Sequence, residues 1–160
     1  MANISEKLNE EYNIQVKEEL ESGYIYLAMS AWFAERTLNG LASWFYKQAE
    51  EEFEHAMKFA NYILDTGGKV EYAELKKPKG DFNSILEILE AAYEHEKYIT
   101  GRIHHLYELA KELKEYSAFP MLHWFLDEQI EEEEQTAALI DMYKGYHNDF
   151  NFDHHVKRDD

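Results

Sequence analysis

The sequence predicts an all-α protein: a four-helix up-and-down bundle with one long crossover between the second and third helices. Apolar residues recur at alternating three- and four-residue spacings through four long segments, as on the buried stripe of a helix. No stretch shows sustained alternation of apolar and polar residues, so no sheet is expected. The three connections are short, long and short in turn, and a short connection forces neighbouring helices to run antiparallel.

The first two helices form the first predicted hairpin. The first helix is expected from about residue 4 to residue 37, with Asn3 as its capping residue. The second is expected from about residue 41 to residue 66, where Gly67 and Gly68 end it. The connection is only a few residues long, so these helices lie side by side.

The third and fourth helices form the second predicted hairpin. The third opens at Ser84, which forms a capping box with Glu87, and continues to about residue 114. The fourth is expected over residues 117–145, with Pro120 in its first turn, where proline is tolerated.

The crossover is expected at about residues 67–81, which include three glycines and one proline. At ~3.3 Å per residue such a segment extends roughly 45–50 Å, whereas a helix of about 27 residues is ~40 Å long. The crossover can therefore traverse the whole bundle. We expect residues 1–145 to form the bundle domain and residues 146–160 to form a polar C-terminal tail, in which a packed fifth helix is not expected.

Composition limits the classes of partner. The chain has 33 acidic and 16 basic residues, a net charge of −17, which repels nucleic acids and anionic lipids. The longest nearly apolar run, residues 24–34, is too short to span a bilayer, and the N-terminus has no apolar signal region. The absence of cysteine excludes disulfides and thiolate ligands. We expect a cytoplasmic protein that binds cations or other proteins and neither nucleic acid nor membranes.

Each buried stripe is apolar at both ends and carries one glutamate near its middle. Midpoints lie at one level of an up-and-down bundle, so these four carboxylates should converge in the core: Glu19, Glu52, Glu96 and Glu132. Burying them without partners would cost more than the roughly 5–15 kcal/mol of net stability of a domain. Two divalent cations would balance their four charges.

His55 strengthens the prediction of a metal site, because it follows Glu52 by three residues and faces the same way. Mixed carboxylate and imidazole ligands suit iron or manganese better than magnesium or calcium. The alternative is an ordinary acidic bundle whose inward glutamates are protonated or paired. A mid-helix acid on all four stripes makes that alternative the weaker one.

The chain resembles the non-haem bacterial and archaeal ferritins over about residues 4–143. The matching stretches are Met29-Ser-Ala-Trp32, Glu50-Glu-Glu-Phe-Glu-His-Ala56, Tyr93-Glu-His-Glu96 and Glu128-Gln-Ile-Glu-Glu-Glu133. The resemblance implies a diiron ferroxidase centre. By similarity, its first iron would be held by Glu19, Glu52 and His55, and its second by the bridging Glu52 with Glu96 and Glu132.

The resemblance also implies roles beside this centre. Gln129 would lie at the oxygen-binding side, and Tyr26 and Trp124 would be aromatic neighbours, although packing explains both aromatics equally well. A third iron position, found in many prokaryotic ferritins, would be formed by Glu51, Glu128, Glu131 and Glu132. A solvated acidic run is the alternative for Glu128 and Glu131.

By resemblance, the function is iron storage: oxidation of Fe(II) to Fe(III) by O2 or H2O2, with ferric mineral kept inside a shell of 24 identical subunits. No haem is expected, because a bacterioferritin would repeat Glu-x-x-His on the fourth helix, where this chain has Gln129-x-x-Glu132. A diiron oxidase or peroxide scavenger that stores no mineral is the alternative within the same chemistry. The polar tail puts the usual shell in doubt, and His147, His154 and His155 within it could bind metal, although a disordered tail is favoured.

Overall fold

The computed structural model describes residues 3–156, and it is helical throughout apart from its connections. Residues 3–156 contain no strand, which confirms the predicted all-α class. The helices are α1 (Glu6–Glu35), α2 (Asn39–Asp65), α3 (Ile85–Leu113), α4 (Phe119–Lys144) and α5 (Asp149–His155), with one 3-10 turn (Tyr116–Ala118) before α4. No helix within residues 3–156 is long and apolar enough to cross a membrane.

The predicted helix ends are correct at α3 and wrong at the start of α1. Ser84 caps α3 by accepting a hydrogen bond from the Glu87 backbone N–H at 3.1 Å, as the capping box requires. At α1 the capping residue is Ser5, whose Oγ accepts from the Leu8 N–H at 3.2 Å, and Asn3 lies two residues too early. Pro120 lies in the first turn of α4, as expected.

The two hairpins pack into one bundle whose core has three levels. An apolar cluster at one end is built around Phe33, Phe45 and Ile88. A second at the other end is built around Phe59, Leu8, Ile103 and Phe125. The buried polar side chains of the four long helices lie between these clusters. The stripes are thus apolar at both ends and polar in the middle, as predicted.

The crossover runs along the length of α1, which confirms its predicted role. Near its start, Asn9 and Asn13 both donate from Nδ2 to the Lys69 carbonyl, at 3.1 and 2.9 Å. Near its end, the Trp32 indole N–H donates to the Phe82 carbonyl at 3.3 Å. Side chains of α1 thereby form hydrogen bonds with backbone groups of a segment that belongs to no helix or sheet. This path returns the chain to the far end of the bundle, where α3 begins.

The expectation of a tail without a packed fifth helix is wrong. Asn148 caps α5 by accepting hydrogen bonds from the N–H groups of Phe150 and Asn151, at 2.9 and 3.1 Å. Phe152 is fully buried, with its ring against those of Tyr143 and Tyr146. A helix of seven residues spans two turns, too few for a periodic pattern, so one buried aromatic anchors it. Residues 157–160 lie outside the described residues, and the expected domain boundary after residue 145 remains a prediction.

Asp153 of α5 caps the beginning of α2. Its Oδ1 accepts from the Leu41 N–H at 2.7 Å and its Oδ2 from the Gly40 N–H at 3.1 Å. The residue before α2, Leu38, offers no side-chain cap, so the carboxylate satisfies two N–H groups that the helix leaves open. A Cβ on Gly40 would lie 2.2 Å from the Asp153 carbonyl oxygen, so only glycine permits this approach.

We expect Asp153→Ala to destabilise the protein by about 1–2 kcal/mol, the usual cost of losing a helix cap. Thermal unfolding of the metal-free protein measures this loss, and amide hydrogen exchange at Phe152 should accelerate as α5 detaches. Asp141→Ala is the matched control, because it removes the same charge from an exposed position on α4. Equal melting temperatures for the two variants would contradict the capping role.

Candidate metal centre

Four buried glutamates, one from each long helix, converge in the polar level of the core. Their side chains are at most 2% exposed: Glu19, Glu52, Glu96 and Glu132. Ligand atoms of Glu19, Glu52 and His55 lie within 4.8 Å of one another, and so do oxygens of Glu52, Glu96 and Glu132. Glu52 belongs to both groups. Two groups that share one carboxylate could hold two adjacent cations.

The first group contains polar atoms that no protein atom satisfies. His55 Nδ1 lies 3.7 Å from Glu19 Oε2 and 3.6 Å from Glu52 Oε2, too far for hydrogen bonds. Both Nδ1 of His55 and Oε2 of Glu19 are buried without a hydrogen-bond partner. Such separations are reached by two ligands that each lie ~2.0–2.2 Å from a single ion. These residues therefore fit a metal ion better than they fit one another.

The second group is held by hydrogen bonds from neighbouring side chains. The Tyr26 hydroxyl donates a hydrogen bond to Glu96 Oε2, and Gln129 Nε2 donates to Glu96 Oε1 at 3.3 Å. Gln48 Nε2 donates to Glu132 Oε2 at 2.6 Å and to Glu52 Oε1 at 2.9 Å. Each carboxylate is thereby oriented before any cation binds.

A third group joins the first two on one side. Nε2 of His55 lies 3.6 Å from Oε2 of Glu128, and these residues cluster with Glu132. Of the other residues predicted for a third iron position, Glu51 is close enough to Glu132 to raise its pKa, and Glu131 is exposed. The structure thus brings Glu128 and Glu132 together with His55, and a role for Glu51 and Glu131 remains a prediction.

Burial and mutual repulsion disfavour full ionisation of these carboxylates. Burial raises the pKa of Glu52 to about 7, with repulsion from Glu19 adding to the effect and His55 opposing it. Burial, followed by the charge of Glu52, raises the pKa values of Glu96 and Glu132 well above their usual range. Burial opposes protonation of His55, but the facing carboxylates, Glu128 foremost, raise its pKa overall. Divalent cations would relieve this repulsion directly.

Two aromatic residues contact ligands of this candidate centre. Tyr26 is fully buried beside Glu96. Trp124 is 39% exposed, and its ring meets the His55 ring edge-on with centroids 5.6 Å apart. Lys58 lies over the outer face of this indole, 4.1 Å from its centroid. Trp124 therefore borders His55 on the side that faces solvent.

Sequence reasoning missed several polar neighbours of the centre. His95 is not among the candidate residues identified from the sequence, but its Nε2 lies 2.7 Å from the Ser22 Oγ and its ring packs against Tyr26. Gln15 and Gln48 are likewise absent from the candidate residues identified from the sequence. Each lies four residues before a glutamate of the centre, Glu19 or Glu52, and donates to it. That repeated spacing was the available signal.

These features define a class of helical-bundle proteins that gather carboxylate and imidazole ligands for two metal ions in their core. Comparison with known families agrees, since residues 9–145 match the ferritin-like domain. The chain belongs to the ferritin-like domain family, which confirms the resemblance derived from the sequence.

Individual relatives cover nearly the whole chain. A bacterial non-haem ferritin of Campylobacter jejuni is 36% identical over 141 residues, which cover 88% of this chain and 84% of that protein. A bacterial non-haem ferritin of Staphylococcus aureus (strain USA300) is 36% identical over 148 residues, which cover 92% and 89%. An open pore ferritin from the hyperthermophilic archaeon Archaeoglobus fulgidus superposes with a TM-score of 0.93 at 34% identity, over 98% of each chain.

The raised pKa values make the metal-free protein sensitive to pH. A carboxyl whose pKa is higher in the folded than in the unfolded state stabilises the fold at low pH, and this contribution is lost as pH rises. For Glu52 the loss falls between its ordinary value of 4.5 and about 7. We expect the melting temperature of the metal-free protein to fall over that interval, and added Co²⁺ or Zn²⁺ to restore it.

Glu96→Gln should separate stability from metal binding. At a pH high enough to ionise Glu96 in metal-free wild type, we expect the metal-free variant to be about 1 kcal/mol more stable than wild type, because it lacks one buried charge. The increase in melting temperature on adding Co²⁺ should shrink. Glu90→Gln, an exposed change on the same helix, is the control. A variant that is less stable without metal, or as responsive to Co²⁺ as wild type, would contradict the assignment of Glu96.

Proposed function

We propose that this protein is an iron-storage ferritin whose centre oxidises Fe(II) to Fe(III) with O2 or H2O2. The observation that carries the proposal is the pair of buried ligand groups joined at Glu52. Fe(II) is the substrate of this reaction. Four carboxylates supply four negative charges, which balance two divalent ions, while a neutral His55 serves as a nitrogen ligand.

The roles of the ligands follow from the two groups. Glu19, Glu52 and His55 hold the first iron. Glu52 bridges to the second, which Glu96 and Glu132 hold. Fixed negative charge favours the more highly charged ferric ion, so the ligand set itself drives oxidation. Two ferrous ions side by side give up two electrons together, and with two protons these convert O2 to H2O2 without releasing a one-electron oxygen radical.

The surrounding side chains orient the ligands and exclude water. Tyr26 and Gln129 hold Glu96, and Gln48 holds Glu52 and Glu132 at once. The apolar clusters above and below leave the centre in a region of low dielectric, where charge interactions are strong.

A third iron position on the same side as Glu128 extends the proposal. His55, Glu128 and Glu132 form its nucleus, and Glu51 and Glu131 would complete a carboxylate path from the buried centre towards the surface. Such a path would pass ferric iron to the acidic interior of a shell. Its position at the less buried edge of the centre supports this role.

Assembly and location belong to the same proposal. We infer a homo-oligomer, with 24 subunits forming a hollow shell, in the cytoplasm. Likeness to the open pore ferritin over 98% of both chains supports a shell of this kind. The docked α5 removes the main objection raised by the sequence, since residues 149–155 are helical and fixed to α2.

Two alternatives make different demands on the site. A structural bundle would satisfy its buried polar atoms internally, yet Glu19 Oε2 and His55 Nδ1 have no hydrogen-bond partner. That observation disfavours it. A diiron oxidase or peroxide scavenger uses the same ligands and differs only in storing no mineral.

Anaerobic loading followed by O2 tests the proposed chemistry. We expect rapid O2 consumption at about two Fe(II) per chain, followed by retention of many more irons in solution. His55→Ala and Glu52→Ala should each slow the initial oxidation by at least about tenfold, as loss of a metal ligand does. Glu54→Ala, an exposed neighbour on α2, is the control.

Unchanged initial rates in His55→Ala and Glu52→Ala would overturn the ferroxidase assignment. Fast oxidation followed by precipitation of iron would instead favour the oxidase or scavenger that stores no mineral.

Solution mass tests the proposed shell. With a chain mass of 19.0 kDa, 24 subunits correspond to about 456 kDa, so light scattering distinguishes a shell from a dimer directly. A small oligomer would overturn the shell and leave the metal chemistry to be judged by the oxidation assay.

A further inference from the structure

A chain of three polar side chains leads outward from Glu19 to the third helix. Oε1 of Glu19 accepts a hydrogen bond from Nε2 of Gln15, one turn earlier on α1, at 2.9 Å. Oε1 of Gln15 in turn accepts from Nε of Arg102 on α3 at 3.1 Å. Glu19 and Gln15 are fully buried, and the Arg102 side chain is 19% exposed. The order is therefore carboxylate, amide, guanidinium.

The guanidinium determines which way the Gln15 amide faces. Arginine is always charged and carries donors only, so it requires an acceptor and can pair only with the oxygen end of an amide. With its oxygen directed at Arg102, Gln15 must present its NH2 group to Glu19. That NH2 group holds Oε1 of the carboxylate, and Oε2 is left without a hydrogen-bond partner, 3.7 Å from His55 Nδ1.

We propose that Arg102 is a positioning residue for the metal centre: through the Gln15 amide it orients the Glu19 carboxylate so that one oxygen faces the ion bound by His55. This inference rests on the proposed metal centre and adds a residue to it. Among the described contacts, Arg102 touches no ligand of the centre directly and reaches Glu19 only through Gln15. Its buried Nη2 lies 3.7 Å from Oε2 of Glu11, within ion-pair distance but too far for a hydrogen bond.

Positioning and simple electrostatics predict opposite results for removal of Arg102. A positive charge near a cation site weakens binding of a cation, so electrostatics alone predicts that losing the charge tightens binding. Loss of orientation predicts weaker binding, because without Arg102 the Gln15 side chain is held at its NH2 end alone and fixes Glu19 less firmly. The sign of the change therefore identifies the mechanism.

Co²⁺ titration of the metal-free protein, followed by its visible absorption, measures this sign without relying on iron oxidation. The spectral component of the first site is the one that disappears in His55→Ala. For this component we expect Arg102→Met to weaken binding about tenfold, the usual lower bound for residues that orient metal ligands. Arg102→Lys, which keeps a donor-only cation, should restore most of the affinity. Arg36→Met, a partly exposed arginine over Trp32, should change nothing.

A double-mutant cycle with Gln15→Met tests whether Arg102 acts through the amide. If it does, the double variant binds Co²⁺ no more weakly than Gln15→Met alone, because the intermediary is already absent. Additive losses would overturn the proposal, as would tighter or unchanged binding in Arg102→Met. Melting temperatures of the metal-free variants verify that each is folded, and weaker binding that Arg102→Lys fails to restore would also overturn it.

Failure of the underlying metal centre gives a different result. In that case wild type itself would show no Co²⁺ component that depends on His55, and the positioning role would fall with it. Two Co²⁺ ions bound by wild type, together with unchanged binding in Arg102→Met, would remove only the role of Arg102.

Discussion

Four carboxylates buried at one level of the bundle are the constraint on which the other features depend. Removing such charges from water costs several kcal/mol each, against a net domain stability of roughly 5–15 kcal/mol. The protein offsets part of this cost with donors placed around the acids, the amides of Gln15, Gln48 and Gln129 and the hydroxyl of Tyr26. The cations of the proposed function would offset the rest.

The apolar clusters on either side of the four carboxylates fix the relative positions of the helices that carry them. Each hairpin contributes to both clusters, so the four helices cannot slide along one another without exposing apolar surface. The crossover fixes the second hairpin against the first, because Asn9, Asn13 and Trp32 hold it along α1. Glu96 consequently lies level with the glutamates of α1 and α2.

The sequence predicts what depends on long periodic segments and fails where a contact joins distant segments. The stripes placed Glu19, Glu52, Glu96 and Glu132 correctly, because a helix of some 27 residues leaves little freedom in its register. The docking of α5 could not be predicted from the sequence, because seven residues are too few to show a periodic apolar pattern. Its anchor Asp153 also caps a helix more than 100 positions earlier in the chain. The pairing of Arg102 with Gln15 also joins distant segments, so the sequence does not predict it. For His95, only its position next to Glu96 in the sequence indicated that it lies near the centre.

The hydrogen bonds between Asp153 and the start of α2 also bear on the chemical stability of the chain. Asn39 followed by Gly40 is the pair most prone to deamidation, a reaction in which the backbone nitrogen of the glycine attacks the asparagine side chain. Here that nitrogen is held in helical geometry and donates its proton to Asp153. Helical geometry keeps this nitrogen away from the side-chain carbonyl carbon that it would have to attack. By holding the first turn of α2, the short helix α5 thus slows deamidation at Asn39. This turn begins the helix that supplies Glu52 and His55.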